Sequence, residues 1–158
     1  EVLYNVPLYY QGKTSICWAY CQLMVENYQQ GITLGKKEAD KKAQEIAIRV
    51  NGNDWNRGNF PENTGEKVRI ENIPNIDVLY TLIKRCGPMY AHYTDKNGEG
   101  HLVVITGVSV TKNKVYTNNP WGVKGSQSFY SFKKKVAKKW WQSGQGLSLN
   151  TIYLVKFI

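Results

Sequence analysis

The chain has 158 residues, 42% of them hydrophobic and 13% aromatic, enough for one domain with a real core and too short for two. Its net charge is +9, from 21 Lys and Arg against 12 Asp and Glu, and no apolar run approaches the ~20 residues of a membrane span. These values exclude a disordered chain and a helical membrane span, and with two histidines and no Cys-x-x-Cys they leave zinc without a ligand set.

Residues 1–10 are apolar and aromatic around Pro7, the pattern of an edge strand or extended arm. Thr14 or Ser15 is expected to cap a helix that opens at Cys17, runs to about Gln30 and stops at Gly31. Trp18, Cys21, Leu23 and Val25 among few charges predict that it is mostly buried. A second helix fits Lys36–Val50, where Ala39, Ala43, Ile46, Ala47 and Val50 form one stripe and Gly52 follows. Residues 51–67, rich in Asn and Gly, read as a loop that Trp55 and Phe60 pin down. A short third helix spans about Ile76–Arg85, with Ile76, Leu79, Tyr80 and Ile83 on one face, and Gly87-Pro88 ends it.

The second half changes period. Strands are expected at Met89–Tyr93, His101–Val110 and Val115–Thr117, with turns at 95–98 and around Asn113. Phe129–Trp141 reads as a strand end followed by a basic helix, and Thr151–Ile158 as a closing strand. Helices first and strands later is the order of an α+β domain, here a single one over 1–158. The chain opens at Glu1 rather than Met, as a processed product or an excised domain does. Lys133–Lys135 and Lys138–Lys139 read foremost as a solvated helix face with Trp140 and Trp141 packed inward. The competing reading is a patch for an anionic surface; nothing resembles a nucleic-acid motif, so no nucleic acid is expected as a partner.

Of Cys17, Cys21 and Cys86, an odd count, at least one thiol is free. Cys17 stands at the first turn of its helix, where backbone amides and the helix dipole favour negative charge and are expected to lower the thiol pKa. Cys21 lies one turn on, on the same face, and reads as a small buried residue. Gln11 stands six residues before Cys17, where its amide can fold back to donate to an oxyanion. A cysteine nucleophile needs a base, and only His92 and His101 are present. His92 falls mid-strand and reads as a structural histidine; His101 opens a buried strand, a rigid mount with a surface end. An acceptor that orients the imidazole is offered by Asn118 or Asn119, in the run Asn118-Asn119-Pro120-Trp121-Gly122. Proline holds the residue before it extended, and Trp121 is placed to roof the contact.

Together these pieces resemble the papain-like cysteine peptidases. Cys17-Trp18-Ala19-Tyr20 is similar to the nucleophile helix of that superfamily, Gln11 to its oxyanion glutamine, Gly100-His101 with the Val and Ile run to its general-base strand, and Asn119-Pro120-Trp121-Gly122 to its third segment. That match implies Asn119, not Asn118, as the orienter. The closer resemblance is to compact bacterial branches, the C39-like peptidases and the AvrRpt2-type effector proteases, which share the Gly-Pro before a strand and a later aromatic-rich helix. Papain's usual Cys-Gly-Ser before the nucleophile is absent, Ser15-Ile16 standing instead, and His101 follows Cys17 more closely than the ~130–150 residues usual in papain and cathepsins.

The resemblance implies a papain-like fold, with an N-terminal nucleophile helix packed on a small antiparallel sheet and the site between them. It implies hydrolysis of peptide or isopeptide bonds by Cys17, His101, Asn119 and Gln11, with no cofactor and no metal. It also implies a protein or peptide substrate, a secreted or delivered bacterial effector or toxin, and a cognate inhibitor or immunity protein. Two alternatives stay open. The same residues serve a deamidase, transglutaminase or amidase equally well, and a peptide-binding module with an idle thiol would carry the same helix.

Overall fold

The computed structural model describes residues 1–49, 67–71, 75–94, 100–135 and 151–155, with the backbone alone at 67–71, 92–94, 100 and 151–155. Along the chain run β1 (Val2–Leu3), α1 (Cys17–Gln30), α2 (Lys36–Arg49), β2 (Lys67–Glu71), α3 (Ile76–Cys86), β3 (Met89–Thr94), β4 (Gly100–Ser109), β5 (Lys114–Asn119), β6 (Val123–Gln127), α4 (Phe129–Lys135) and β7 (Thr151–Val155). The fold is α+β, as the order of periodicities predicts, and it is papain-like in architecture: a helix at the N-terminal side laid on an antiparallel sheet.

Strand β4 organises the sheet. Strand β5 pairs with one of its sides, and β3 and β1 share the other end to end, β3 along Gly100–Ile105 and β1 at Gly107–Val108. Strand β6 extends the sheet beyond β5. The β4–β5 register slips between Ile105 and Gly107, so Thr106 sits in a bulge, and its carbonyl accepts from Tyr4 N at 2.8 Å. Strand β5 leaves β4 beyond Val104, so among the described residues Gly100–Val103 have a strand neighbour only in β3. Strands β2 and β7 form a separate antiparallel pair, Lys67 opposite Val155 and Glu71 opposite Thr151.

Leu102, Val103, Val104 and Ile105 are all buried, although neighbours in a strand point to opposite faces. Both faces of β4 are therefore covered, and α1 and α3 pack against it. Helix α1 buries most of its length, including Ala19, Tyr20, Leu23, Met24 and Val25, in agreement with its few charges. Helix α2 contributes the stripe Ala39, Ala43 and Ile46. Helix α3 is capped by Asn75, whose side chain accepts from Val78 N at 3.1 Å, and buries Leu79 and Ile83.

Several local expectations are corrected. Neither Thr14 nor Ser15 caps α1; Ile16 occupies the cap position with no side-chain bond, because Thr14 is engaged in the turn before it. The N-terminal arm is a strand only at Val2–Leu3. Beyond that it is strapped down by side chains: Tyr4 Oη donates to Ile83 O, and Asn118 Nδ2 donates to Val6 O at 2.9 Å. Strands β2 and β6 were not expected, and Lys67, placed in the loop, opens β2. Val50, the loop with Trp55 and Phe60, the 95–98 turn, Lys138–Trp141 and 156–158 lie outside the described residues, as does the side chain of His92.

Gly107 marks where β1 closes on β4. A Cβ there would overlap the Val2 carbonyl oxygen and come within 2.9 Å of Leu3 Cα, both backbone atoms that cannot swing aside. Gly107→Ala is expected to push β1 off the sheet and to destabilise the domain by ~1–3 kcal/mol, the usual cost of overpacking, read as a lower urea midpoint.

Candidate active site

The turn before α1 is closed on itself. Gly12 takes a left-handed φ of 64°, which lets the chain double back so that Thr14 faces Gln11. Gln11 Nε2 donates to Thr14 O at 2.7 Å, and Thr14 Oγ1 donates to Gln11 O at 2.8 Å. From outside, Gln11 N donates to Pro120 O at 2.7 Å, which ties this turn to the Asn-Pro-Trp-Gly segment after β5. The Gln11 side chain is buried, with Nε2 held and Oε1 without a partner among the described residues.

Cys17 is the first residue of α1 and is half-buried. Its thiol is pushed above the ordinary cysteine value: burial is the larger effect, and hydrogen bonds from the backbone amides of Leu102, Trp18 and Cys17 itself oppose it. The lowering expected from the helix start is thereby corrected. The amides are in place, but desolvation of a charged sulfur outweighs them. Contact with the Leu102 amide puts the thiol beside the residue that follows His101. One turn on, Cys21 Sγ donates to Leu102 O at 3.2 Å, so the two cysteines hold the two ends of one residue's backbone. Cys21 is fully buried, and burial drives its thiol well above the ordinary value, with Cys17 adding to the effect.

His101 lies near the start of β4, buried, with Nε2 2.7 Å from Asn119 Oδ1. That Asn119 atom also accepts the Trp121 backbone N–H at 2.9 Å. A backbone amide can only donate, so the Asn119 atom is the carboxamide oxygen and His101 Nε2 carries the ring proton. In the neutral imidazole Nδ1 is then the basic nitrogen. Trp121 stacks on the ring, centroids 4.0 Å apart at 18°, while remaining half exposed itself. Asn118 points the other way and is spent on the arm, bonding Val6 O and Pro7 O. Strand alternation separates the two asparagines: the one next to the proline faces His101 and its neighbour faces the core.

His101 and Asn119 are thus bonded to each other, Cys17 lies against the backbone next to His101, and Gln11 is tied to the turn after Asn119. Two groups that build this place leave no residue-type signal in sequence, the Leu102 amide and the Pro120 carbonyl. Tyr10 was also missed; its ring lies under Gly122, whose φ of 93° closes the turn that returns to Asn119 O. Among the described residues no group of three or more His, Cys, Asp or Glu could hold a metal ion. Cavities of about 410 and 320 Å³ lie elsewhere, the first between the arm and β5–β6, the second between α1 and α2.

A helix-borne thiol set against the strand that carries a histidine, with that histidine bonded to an asparagine, is the arrangement of a papain-like cysteine protease. The family model described as papain-like cysteine protease AvrRpt2 matches residues 1–137, a span that contains all four residues. The chain belongs to that family and is a hydrolase acting on protein substrates. The match falls in the second of the two branches that the sequence resembles. No curated protein matches the chain.

The direction of the thiol shift sets a pH dependence. Alkylation follows the thiolate, and a raised pKa keeps that form scarce below the ordinary thiol range. The iodoacetamide rate at Cys17, followed by mass spectrometry of its peptide, is expected to keep rising with pH through that range. A plateau reached below neutral pH would contradict the burial effect.

Proposed function

We propose that Cys17 is the nucleophile, His101 the general base and acid, Asn119 the orienter and Gln11 the oxyanion donor of this protease. The observation that carries the reading is the double acceptance at Asn119 Oδ1, which fixes the His101 tautomer with the basic nitrogen at Nδ1. Cys17 enters as a neutral thiol, since burial keeps it protonated. As the sulfur attacks the substrate carbonyl, its proton passes to His101 Nδ1. The carbonyl oxygen becomes an oxyanion that takes hydrogen bonds from the second N–H of Gln11 Nε2 and from the Cys17 backbone amide. The imidazolium is stabilised through Nε2–H on Asn119 and gives its Nδ1 proton to the leaving amine. Water, deprotonated by the same nitrogen, then hydrolyses the thioester.

From the same resemblance we infer a bacterial effector or toxin domain that is secreted or delivered into a target cell. Its site would be covered by a cognate inhibitor or immunity protein in the producing cell. Exposed Lys134 and Lys135 at the end of α4 begin the basic run suited to an anionic surface.

Cys17→Ala is expected to abolish cleavage and leave the fold intact, read as an unchanged circular dichroism spectrum, with a melt lowered by the loss of the sulfur beside the Leu102 amide. Cleavage is read as new N-termini in a protein lysate treated with the wild-type enzyme. Retained cleavage in that variant would sink the assignment. Ammonia release without new termini would make the enzyme a deamidase instead. Gln11→Ala is expected to lower turnover by ~10²–10³, the usual loss of one oxyanion donor. The two asparagines should separate cleanly. Asn119→Ala is expected to lower kcat, whereas Asn118→Ala should keep kcat and lose ~1–3 kcal/mol of stability, because it leaves buried arm carbonyls unpaired.

A further inference from the structure

Helix α2 turns one carboxylate toward the Gln11 turn. Asp40 Oδ1 accepts from the Tyr20 hydroxyl at 2.8 Å, and Lys36 Nζ lies 2.7 and 2.8 Å from the two carboxylate oxygens. The same ammonium donates to Tyr10 O at 3.1 Å and sits 5.5 Å from the centroid of the Tyr10 ring. The Tyr20 oxygen also lies against the Thr14 side chain, a packing contact, since the one Thr14 hydroxyl proton goes to Gln11 O. Thr14 in turn grips Gln11 at its backbone carbonyl and at its carboxamide. Residues on either side of Gln11 are therefore tied to one carboxylate, Tyr10 through a lysine and Thr14 through a tyrosine.

An exposed Lys–Asp pair at i,i+4 ordinarily contributes little. This one differs in what it holds. Its tyrosine partner is 1% exposed, so the hydroxyl has no water to fall back on. The other end of the lysine is a backbone carbonyl adjacent to Gln11. The Gln11 carboxamide, moreover, is oriented by a single bond, Nε2 to Thr14 O, because Oε1 has no partner among the described residues. Turning the amide over would set Oε1 against Thr14 O, two acceptors face to face. Where Thr14 sits decides which way the amide points.

We propose that Asp40 is a positioning residue for the Gln11 carboxamide, acting through Tyr20 and Lys36. The proposal rests on the reading of Gln11 as an oxyanion donor. Asp40 is too far along the chain, and too ordinary among the charges of α2, to carry a signal in sequence.

Two reactions at Cys17 separate this role from a general effect on folding or on the thiol. Acylation by p-nitrophenyl acetate passes through a tetrahedral oxyanion. Alkylation by iodoacetamide displaces iodide at carbon and forms none. Both are read as mass added to the peptide carrying Cys17. Asp40→Ala is expected to slow acylation by ~10–100-fold and to change alkylation by less than about twofold, since misplacement by a fraction of an ångström is felt only where the oxyanion forms. Gln11→Ala should show the same split, and the double variant should be no slower than Gln11→Ala alone, because both act on one group. Lys36→Met, at an exposed position, carries the test if Asp40→Ala fails to fold, with the same split in the same direction. Equal loss in both reactions overturns the positioning role, as does full acylation by Asp40→Ala when Gln11→Ala is slow. If Gln11→Ala itself shows no split, the oxyanion reading falls and this proposal falls with it.

Discussion

The backbone of Leu102 is the point on which this domain turns. Strand β5 has left β4 by Val104, so the stretch before it has no strand on that side among the described residues, yet it is buried. Buried peptide groups are satisfied or costly. Here α1 supplies the partners: Cys21 takes Leu102 O at 3.2 Å, and the Leu102 amide meets the Cys17 sulfur one turn away. Two cysteines spaced by a helical turn match one residue's donor and acceptor. This contact fixes the rotation of α1 and its height along β4, and so sets Cys17 against the residue that follows His101. Cys21, which reads in sequence as a small core residue, is the fully buried half of that clamp.

The same docking sets the electrostatics. Seating the thiol against β4 strips water from it, and burial raises its pKa more than three amides lower it. A helix start alone would have favoured thiolate. The protein instead holds a thiol against the backbone of the residue that follows His101, whose tautomer is decided by Asn119, itself steadied by the Trp121 amide. Both loops that complete the site are joined by one hydrogen bond, Gln11 N to Pro120 O. A shift in the asparagine turn would therefore be felt by the glutamine as well.

Most helices were legible because their signals are local. The stripe of α2, the bounds and apolar face of α3, and the Gly31 stop of α1 match the structure within a residue or so. The cap of α1 was misread because Thr14 has two competing uses, and the turn with Gln11 wins. Strand β6, Val-Lys-Gly-Ser-Gln, carries no apolar alternation, since an edge strand half in solvent has little to bury. Strand β2 does alternate, with Val68 and Ile70, but it follows a long Asn- and Gly-rich run that masked its start.

By itself the sequence determined the order of the parts: a glutamine six residues before a cysteine, a histidine at the mouth of an apolar strand, an asparagine locked by the proline after it. Short-range chain geometry is enough for these, because a helix start, a strand and an Asn-Pro turn are each specified within a few residues. Three matters were decided only in three dimensions. Asn118 and Asn119 are told apart in sequence only by the family resemblance; the physical reason, the sheet face that sends one to the arm and the other to His101, is tertiary. The thiol's pKa depends on how much protein encloses it, which no spacing encodes. Asp40 reaches the Gln11 turn only because α2 packs beside α1, and long-range packing is the one thing that a local pattern of residues does not contain.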